Sequence, residues 1–110
     1  MKLLFVEIQP FTRKVVRMGL EDDLRRLQDE LKRNPAAGTL DPGTCGLRKI
    51  RMADSARQRG KSSGLRVHYL YVPHRDTIYL VNVYSKDQQS TLTPQQKKLL
   101  CGWILRMTVS

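Results

Sequence analysis

The sequence predicts an α+β fold in which a small, mostly antiparallel sheet carries a helical hairpin on one face and is followed by a C-terminal helix. Three observations lead to this prediction: two amphipathic segments lie close together early in the chain, segments with strand patterning follow, and a strong helix start comes late. The 110 residues fit one domain, 1–110, and a 40% apolar fraction is enough for one modest core. We expect the sheet face opposite the helices to stay free for a functional site.

The chain begins with a strand and a short helix. Residues 3–8 form an apolar run, which predicts a strand buried on both faces and central in the sheet. Pro10 suits the first turn of a helix, and apolar side chains recur at helical spacing from Phe11 to Met18. Gly19 is expected to end this helix.

A second helix has the clearest pattern in the chain. Four leucines fall on one stripe: Leu20, Leu24, Leu27 and Leu31. Acidic residues fill the first turn and Lys32-Arg33 close the last, an order that complements the helix dipole. Asn34-Pro35 ends the helix, so the two helices are close enough in sequence to form a hairpin.

The middle of the chain alternates between loops and strands. Residues 34–46 carry two Pro and three Gly and predict a loop, and residues 46–52 predict a short strand. Residues 54–64 are polar, basic and glycine-bearing, which is typical of a mobile loop. Residues 65–72 and 77–85 are rich in β-formers and are separated by a turn, so they predict an antiparallel pair.

The last element predicted is a helix. Thr93-Pro94-Gln95-Gln96 is a capping box with proline at the first helical position. The apolar residues that follow lie on one side of that helix: Leu99, Leu100, Trp103, Ile104 and Met107.

Positive charge is concentrated in one part of the chain. The whole sequence has 20 Lys and Arg against 10 Asp and Glu, a formal net charge of +10. Residues 43–75 hold eight basic groups against Asp54 alone, so this stretch contributes +7. Such a local excess attracts polyanions and indicates phosphate contacts, although a solvated basic face is the simpler interpretation.

The common motifs of catalysis, metal binding and membrane insertion are missing from the sequence. It has no Gly-rich phosphate loop, His-Glu-x-x-His helix, nucleophile elbow or metal-spaced Cys/His set, so we predict neither metal nor cofactor. Glu7 interrupts the first apolar run too early for a signal peptide, and no run spans a bilayer. We expect a cytoplasmic protein in which Cys45 and Cys101 are free thiols, with a disulfide as the less favoured alternative.

Strand geometry brings cations and a tyrosine together, because side chains two positions apart on a strand share a face. Three such pairs occur on consecutive strands: Lys49 with Arg51, Arg66 with His68, and Tyr84 with Lys86. If the three faces coincide, the sheet presents a cationic patch with one phenol, suited to an RNA phosphate under in-line attack by a 2′-hydroxyl. Taken singly, each cation is more simply a solubilising residue or a phosphate clamp.

The two histidines are expected in different environments. His74 lies in the turn between two strands and is expected at the surface. His68 is a phosphate contact or an acid–base group on one interpretation. On the simpler one it is a partly buried, hydrogen-bonded strand residue.

Longer stretches resemble the HigB-type toxins of the RelE superfamily, which belong to bacterial type II toxin–antitoxin systems. The resemblance lies in Gly46-Leu47-Arg48-Lys49-Ile50-Arg51, in the Gly/Lys/Ser loop with Gly64-Leu65-Arg66-Val67-His68-Tyr69, and in Val83-Tyr84-Ser85-Lys86 with the helix start from Leu92 to Lys98. It covers nearly the whole chain, including the order of the elements.

The resemblance implies a RelE-like fold and a cytoplasmic endoribonuclease that works without a cofactor. Such an enzyme binds the ribosome, cuts mRNA in the A site and inhibits translation. The resemblance also implies a cognate antitoxin, usually of helix-turn-helix type, with operator DNA contacted only through the toxin–antitoxin complex.

The patch and the resemblance together assign roles to individual residues. The predicted catalytic set is Lys49, Arg66, Lys86 and Tyr84, and the predicted RNA- or ribosome-binding set is Arg48, Arg51, Arg57, Arg59, Lys61 and His68. Asp87 and, approximately, Thr93 stand where the family often carries a further arginine and a tyrosine. We therefore predict that Tyr84 supplies the phenol of the active site. The general acid and the general base stay unassigned.

Two other functions fit less well. A non-catalytic RNA- or ribosome-binding protein would use the same patch, but Tyr69 and Tyr71 alternate away from Arg66 and His68 and are expected in the core. A DNA-binding regulator is disfavoured because the acidic helix over residues 20–31 makes a poor major-groove reader.

Overall fold

The predicted helical hairpin follows the first strand directly. In a computed structural model, which describes residues 2–85 and 92–109, β1 (Leu4–Glu7) leads into α1 (Gln9–Met18) and α2 (Glu21–Arg33). Gly19 ends α1 in the left-handed region, at φ 67°, where a residue without a Cβ meets no steric penalty. This sharp end turns the chain at once into α2 and so forms the hairpin.

Within the described residues, a five-stranded sheet and one further helix complete the fold. The remaining elements are β2 (Thr39–Leu40), β3 (Arg48–Met52), β4 (Leu65–Val72), β5 (Thr77–Ser85) and α3 (Pro94–Val109). The strands lie in the order β1-β5-β4-β3-β2, and each neighbouring pair is antiparallel except β1 and β5. The predicted α+β class is confirmed, as are the predicted bounds of β4 and β5; β2 was not predicted.

The prediction of a central first strand was wrong. β1 lies at the edge of the sheet, beside β5, and Leu4 is 61% exposed. Leu3 and Phe5 pack against the core, whereas the residue between them faces solvent. A short apolar run does not by itself distinguish an edge strand, which needs only one buried face, from a central one.

The hairpin covers one face of the sheet. Its buried partners come from alternate strand positions: Ile50, Met52, Leu65, Val67, Tyr69, Ile78, Leu80 and Val83. The hydroxyl of the fully buried Tyr69 donates to the Pro35 carbonyl at 2.8 Å and accepts from the Gly38 N–H at 2.9 Å. Tyr69 and the partly buried Tyr71 are therefore core residues, as predicted, and do not form a stacking surface.

Part of the opposite face, which we expected to be free, is covered by α3. The predicted capping box forms, because the Gln96 N–H donates to Thr93 Oγ1 at 3.1 Å and the Thr93 N–H donates to Gln96 Oε1 at 2.9 Å. Behind it, the helix buries Ile104 against Leu70, Val72 and Val81. The amphipathic pattern of a helix does not say which sheet face it will cover. On the same face, the half of β4 that pairs with β3 keeps its polar residues, Arg66 and His68.

A β-bulge in β5 keeps apolar residues on both covered faces. The pairing of β4 with β5 shifts by one residue at Val81, which has no partner in the register. Leu80 faces the hairpin before the shift and Val83 faces it after the shift. The bulge therefore moves Tyr84 onto the face opposite the hairpin.

The basic loop between β3 and β4 is tied to α2, whereas its composition predicts a mobile segment. Ser55–Arg57 form a 3-10 turn, and Asp54 bridges to Arg59. The Asp23 carboxylate, only 4% exposed, accepts hydrogen bonds from Ser55 Oγ at 2.6 Å and from the Ser55 N–H at 3.0 Å. The loop is thus anchored at its start by one carboxylate of the hairpin.

The environment of Asp23 favours its charged form. Burial alone would raise the pKa of this carboxyl, but the hydrogen bonds from Ser55 and the nearby Arg26 guanidinium outweigh burial and lower the pKa. The resulting stability is present above the unfolded pKa of about 3.9 and is lost as the pH falls through the lower, folded pKa.

We expect the substitution Asp23→Ala to lower the free energy of unfolding by about 2 kcal/mol at neutral pH, because it removes two charge-assisted hydrogen bonds from a buried site. Urea unfolding measures this change. Asp22→Ala is the matched control: its exposed ion pair with Arg25 should contribute about 0.5 kcal/mol or less. Equal losses in the two variants would contradict the anchoring role of Asp23.

Candidate nucleic-acid interface

The strand register brings the predicted cations onto one face of three adjacent strands. Cross-strand partners lie side by side on the same face of a sheet. Two neighbouring rows run across β3, β4 and β5: Arg51, Arg66 and Tyr84 in the first row, and Lys49, His68 and Asn82 in the second. The predicted coincidence of the faces therefore holds for these residues; Lys86, in the predicted catalytic set, lies outside the described residues.

Accessibility divides this patch into two layers. Arg51 is exposed, and Lys49 and Arg66 are half-buried, so their cationic groups can reach a ligand. His68 has no exposed surface and Tyr84 is 2% exposed. The patch thus combines accessible cations with a buried imidazole and a buried phenol.

His68 and Tyr84 form a stacked pair. Their ring centroids lie 5.2 Å apart with an interplanar angle of 28°. His68 Nε2 lies 3.0 Å from Asp41 Oδ2, so the simpler prediction for His68, a hydrogen-bonded strand residue, is confirmed and its burial is complete. His68 Nδ1 and the Tyr84 hydroxyl have no hydrogen-bond partner in the part of the chain that the structure describes.

Burial and nearby charges set the protonation of this pair. Burial lowers the pKa of His68, Lys49 and Lys97 lower it further, and the Asp41 hydrogen bond and charge oppose them only in part. The imidazole is therefore neutral at neutral pH and its Nε2–H donates to Asp41. Burial and the Asp41 charge raise the pKa of Tyr84, although Arg66 opposes them, so the phenol keeps its proton.

The loop over residues 41–47 holds Asp41 in place. The Asp41 N–H donates to the Leu47 carbonyl at 2.9 Å, and Thr44 Oγ1 donates to the Asp41 carbonyl at 2.6 Å. Three residues of this loop have positive φ: Gly43 (79°), Cys45 (61°) and Gly46 (116°). These turns fold the loop back on itself and direct Asp41 toward β4.

A disulfide joins this loop to α3, so the prediction of free thiols was wrong. Cys45 and Cys101 are bonded across a Cα–Cα distance of 5.1 Å. We expected free thiols because the cytoplasm is reducing. The redox state of a compartment does not indicate which cysteines the fold brings together. Lys97, one turn earlier on α3, lies 4.0 Å from the second oxygen of Asp41.

A cleft of about 510 Å³ opens beside the patch, at the edge of β3. It arises because β2 pairs with only two residues of β3 and leaves the rest of that edge uncovered. Four cations line the cleft: Lys49, Arg51, Lys61 and Arg66. The acidic residue in its lining, Glu30, pairs with Lys61 at 3.1 Å. The cleft therefore carries net positive charge and suits an anionic chain.

Other predicted binding residues lie away from the patch. Arg48 belongs to the hairpin side of β3, where its guanidinium donates to the Gly38 carbonyl at 2.7 Å. Arg57 donates to the Asp54 carboxylate at 3.1 Å. Arg59 is exposed on the same loop and donates to the Ser63 carbonyl. Of the loop cations, Lys61 is thus the one that the fold brings to the cleft.

The sequence pattern did not indicate Asp41 or Lys97 as site residues. Asp41 lies 27 positions from His68 in a loop with Pro and Gly, and no periodicity relates the two. The sequence offers only one weak indication of Asp41, which is the last acidic residue before the basic stretch.

His74 is exposed in the turn, as predicted.

No known protein-family model matches this chain. None of the helices over residues 2–85 and 92–109 is long and apolar enough to cross a bilayer. The same residues contain no cluster of three or more His, Cys, Asp or Glu arranged to hold a metal ion.

We expect reduction of the Cys45–Cys101 bond to lower the free energy of unfolding, by roughly 4 kcal/mol at most on the chain-entropy model for a loop of this length. The two cysteines are 56 positions apart. Urea unfolding with and without dithiothreitol measures the loss. The variant Cys101→Ser is the control and should not respond to the reductant. Equal unfolding midpoints for the oxidised and reduced wild type would contradict the expectation.

Proposed function

We propose that this protein is a ribosome-dependent mRNA endonuclease and the toxin of a bacterial type II toxin–antitoxin system. The register of β3, β4 and β5 is the main support, because it aligns Arg51, Arg66 and Tyr84 in one row and Lys49 and His68 in the next. An RNA strand laid over these rows would meet positive charge at its phosphates. The resemblance of the sequence to HigB-type toxins supports the same function.

The reaction we propose is attack of a ribose 2′-oxygen on the adjacent phosphorus. The bond to the 5′-oxygen breaks, which leaves a 2′,3′-cyclic phosphate and a 5′-hydroxyl. Negative charge grows on the phosphoryl oxygens during this step. Arg51 and Arg66 are suited to stabilise it, because a guanidinium stays charged and offers paired donors to a phosphate. Lys49 adds a third positive charge in the neighbouring row.

We assign ribosome contacts to the loop between β3 and β4. Arg57, Arg59 and Lys61 lie on this loop, and Lys61 lines the cationic cleft. Docking on rRNA by such residues is mainly electrostatic, so it should weaken as salt rises. Lys86 stays in the proposed catalytic set on the strength of the resemblance.

The proposal includes partners and a compartment. The expected partner is a cognate antitoxin of helix-turn-helix type, and operator DNA would be contacted only through the complex. The proposed compartment is the bacterial cytoplasm, where thiol reductants are abundant. There we expect the Cys45–Cys101 disulfide to be exposed to thiol–disulfide exchange.

One observation favours a second function, a non-catalytic RNA- or ribosome-binding protein. The accessible charged groups of the patch are the basic side chains of Lys49, Arg51 and Arg66, whereas His68 and Tyr84 are buried. Cations alone are sufficient to hold a phosphate chain. The two functions differ in one result, which is whether the bound mRNA is cut.

Arg66→Ala is expected to abolish growth arrest on induced expression and to slow mRNA cleavage roughly hundredfold or more, because it removes a proposed hydrogen-bond donor to the reacting phosphate. Lys86→Ala should behave in the same way. Mapping of 5′ ends in mRNA measures cleavage, and circular dichroism checks the fold. Arg13→Ala, which removes an exposed cation from α1, should arrest growth like the wild type. Arrest with intact mRNA in the wild type would contradict the endonuclease and favour the non-catalytic alternative.

Arg51→Ala is expected to reduce the salt dependence of RNA binding. Loss of one phosphate contact lowers the slope of log K against log salt by about 0.7 on a single strand. Fluorescence anisotropy with a short 2′-O-methyl RNA, which cannot be cleaved by 2′-oxygen attack, measures this slope. Lys32→Ala, an exposed cation at the end of α2, is the control for net charge. An unchanged slope for Arg51→Ala would contradict its contact with phosphate.

A further inference from the structure

Two buried polar atoms in the patch have no hydrogen-bond partner within the described residues. They are His68 Nδ1 and the Tyr84 hydroxyl, which belong to stacked rings in adjacent rows of the patch. Buried polar groups in proteins are nearly always paired, so an unpaired one requires an explanation, and a catalytic role or a bound water or ion is among those known. The two residues have half-buried cations as cross-strand neighbours, Lys49 beside His68 and Arg66 beside Tyr84.

Asp41 decides which nitrogen of His68 is unpaired. Its Oδ2 lies 3.0 Å from Nε2, and a neutral imidazole that donates Nε2–H to a carboxylate carries a lone pair on Nδ1. Asp41 itself is held by the hydrogen bonds of the 41–47 loop, and its side chain is 10% exposed. The geometry therefore presets one tautomer of His68.

We propose that Asp41 is a positioning residue that fixes His68 as the proton acceptor for a ribose 2′-hydroxyl, with the Tyr84 hydroxyl as proton donor to the departing 5′-oxygen. This inference rests on the proposed ribonuclease function and supplies the acid and base that the sequence pattern left unassigned.

The proton transfers balance within this pair. His68 Nδ1 takes the proton of the 2′-hydroxyl as the 2′-oxygen bonds to phosphorus. The bond from phosphorus to the 5′-oxygen breaks, and that oxygen takes the proton of the Tyr84 hydroxyl. The enzyme is then left with an imidazolium and a phenolate, and transfer of one proton from the first to the second restores the starting state. No oxidant, reductant or further co-reactant is consumed.

The substrate follows from the acceptor. Nδ1 can accept only from a group that carries a proton, and along a nucleic-acid backbone the 2′-hydroxyl of ribose is such a group. The site therefore selects RNA over DNA at one nucleotide. Because the pair is buried, the groups that cover it must move aside before a 2′-hydroxyl can reach Nδ1.

The charges that face His68 determine how cleavage depends on pH. Asp41 faces it from the 41–47 loop, Lys49 from β3, Tyr84 from β5 and Lys97 from α3. Burial and the two lysines lower the pKa of His68, and Asp41 raises it. The base acts when neutral, so cleavage rises with pH through this pKa, and removal of the Asp41 charge should move that rise to lower pH.

The test is single-turnover cleavage of mRNA on programmed ribosomes as a function of pH. Asp41→Asn should slow cleavage about tenfold or more at neutral pH, because an amide can also donate to Nε2 and so favour the wrong tautomer. The acid limb of its profile should also move to lower pH. Asp76→Asn is the matched control: it removes one carboxylate from the exposed turn, at φ 48°, a backbone region that asparagine tolerates. Its profile should overlay that of the wild type.

The possible results distinguish the proposed roles of Asp41 and His68 from the endonuclease activity itself. If Arg66→Ala is inactive while Asp41→Asn keeps the wild-type rate and pH profile, the role of Asp41 and His68 is overturned and the endonuclease stands. If the wild type does not cut mRNA, both are overturned. Imidazole ¹⁵N NMR of the wild type tests the tautomer without any variant. Protonated Nε2 with a bare Nδ1 on His68 is expected, and protonated Nδ1 would overturn the inference even if Asp41→Asn fails to fold.

Discussion

The alternation of side chains along β4 is the constraint on which the rest of the structure depends. Val67 and Tyr69 face the helical hairpin and are fully buried there. Their neighbours face the other way and divide along the strand into a polar half, with Arg66 and His68, and an apolar half under α3. A shift of one position in register would exchange the core for the patch. The central strand therefore specifies both the packing and the site.

The same alternation explains which parts of the site could be predicted. Residues two apart on a strand share a face whatever the rest of the fold does, so the pairing of Lys49 with Arg51 and of Arg66 with His68 followed from spacing alone. Asp41 could not be found in this way, because three positive φ angles and a disulfide place its loop. Contacts set by loop geometry have no period in sequence.

The errors in the fold have a related cause. Periodicity identifies a strand or a helix, but it does not say where that element lies in the sheet order or which face it covers. The apolar run of β1 is compatible with a central strand, but β1 lies at the edge of the sheet. The apolar side of α3 could have covered either face of the sheet, and it covers the one opposite the hairpin. The composition of the basic loop likewise gave no sign of Asp23, whose carboxylate reaches it from α2. Each error concerns a partner distant in sequence.

The Cys45–Cys101 bond also determines how the folded chain responds to a pulling force. It closes β3, β4 and β5 into a covalent ring, so tension applied to α1 and to the end of α3 passes through the two sulfur atoms and bypasses those strands. The bridged cysteines are 56 positions apart. The fully stretched chain is therefore shorter by roughly 190 Å while the bond is intact, at about 3.4 Å per residue. A protein-unfolding motor that threads this chain would meet a closed loop in place of a single strand.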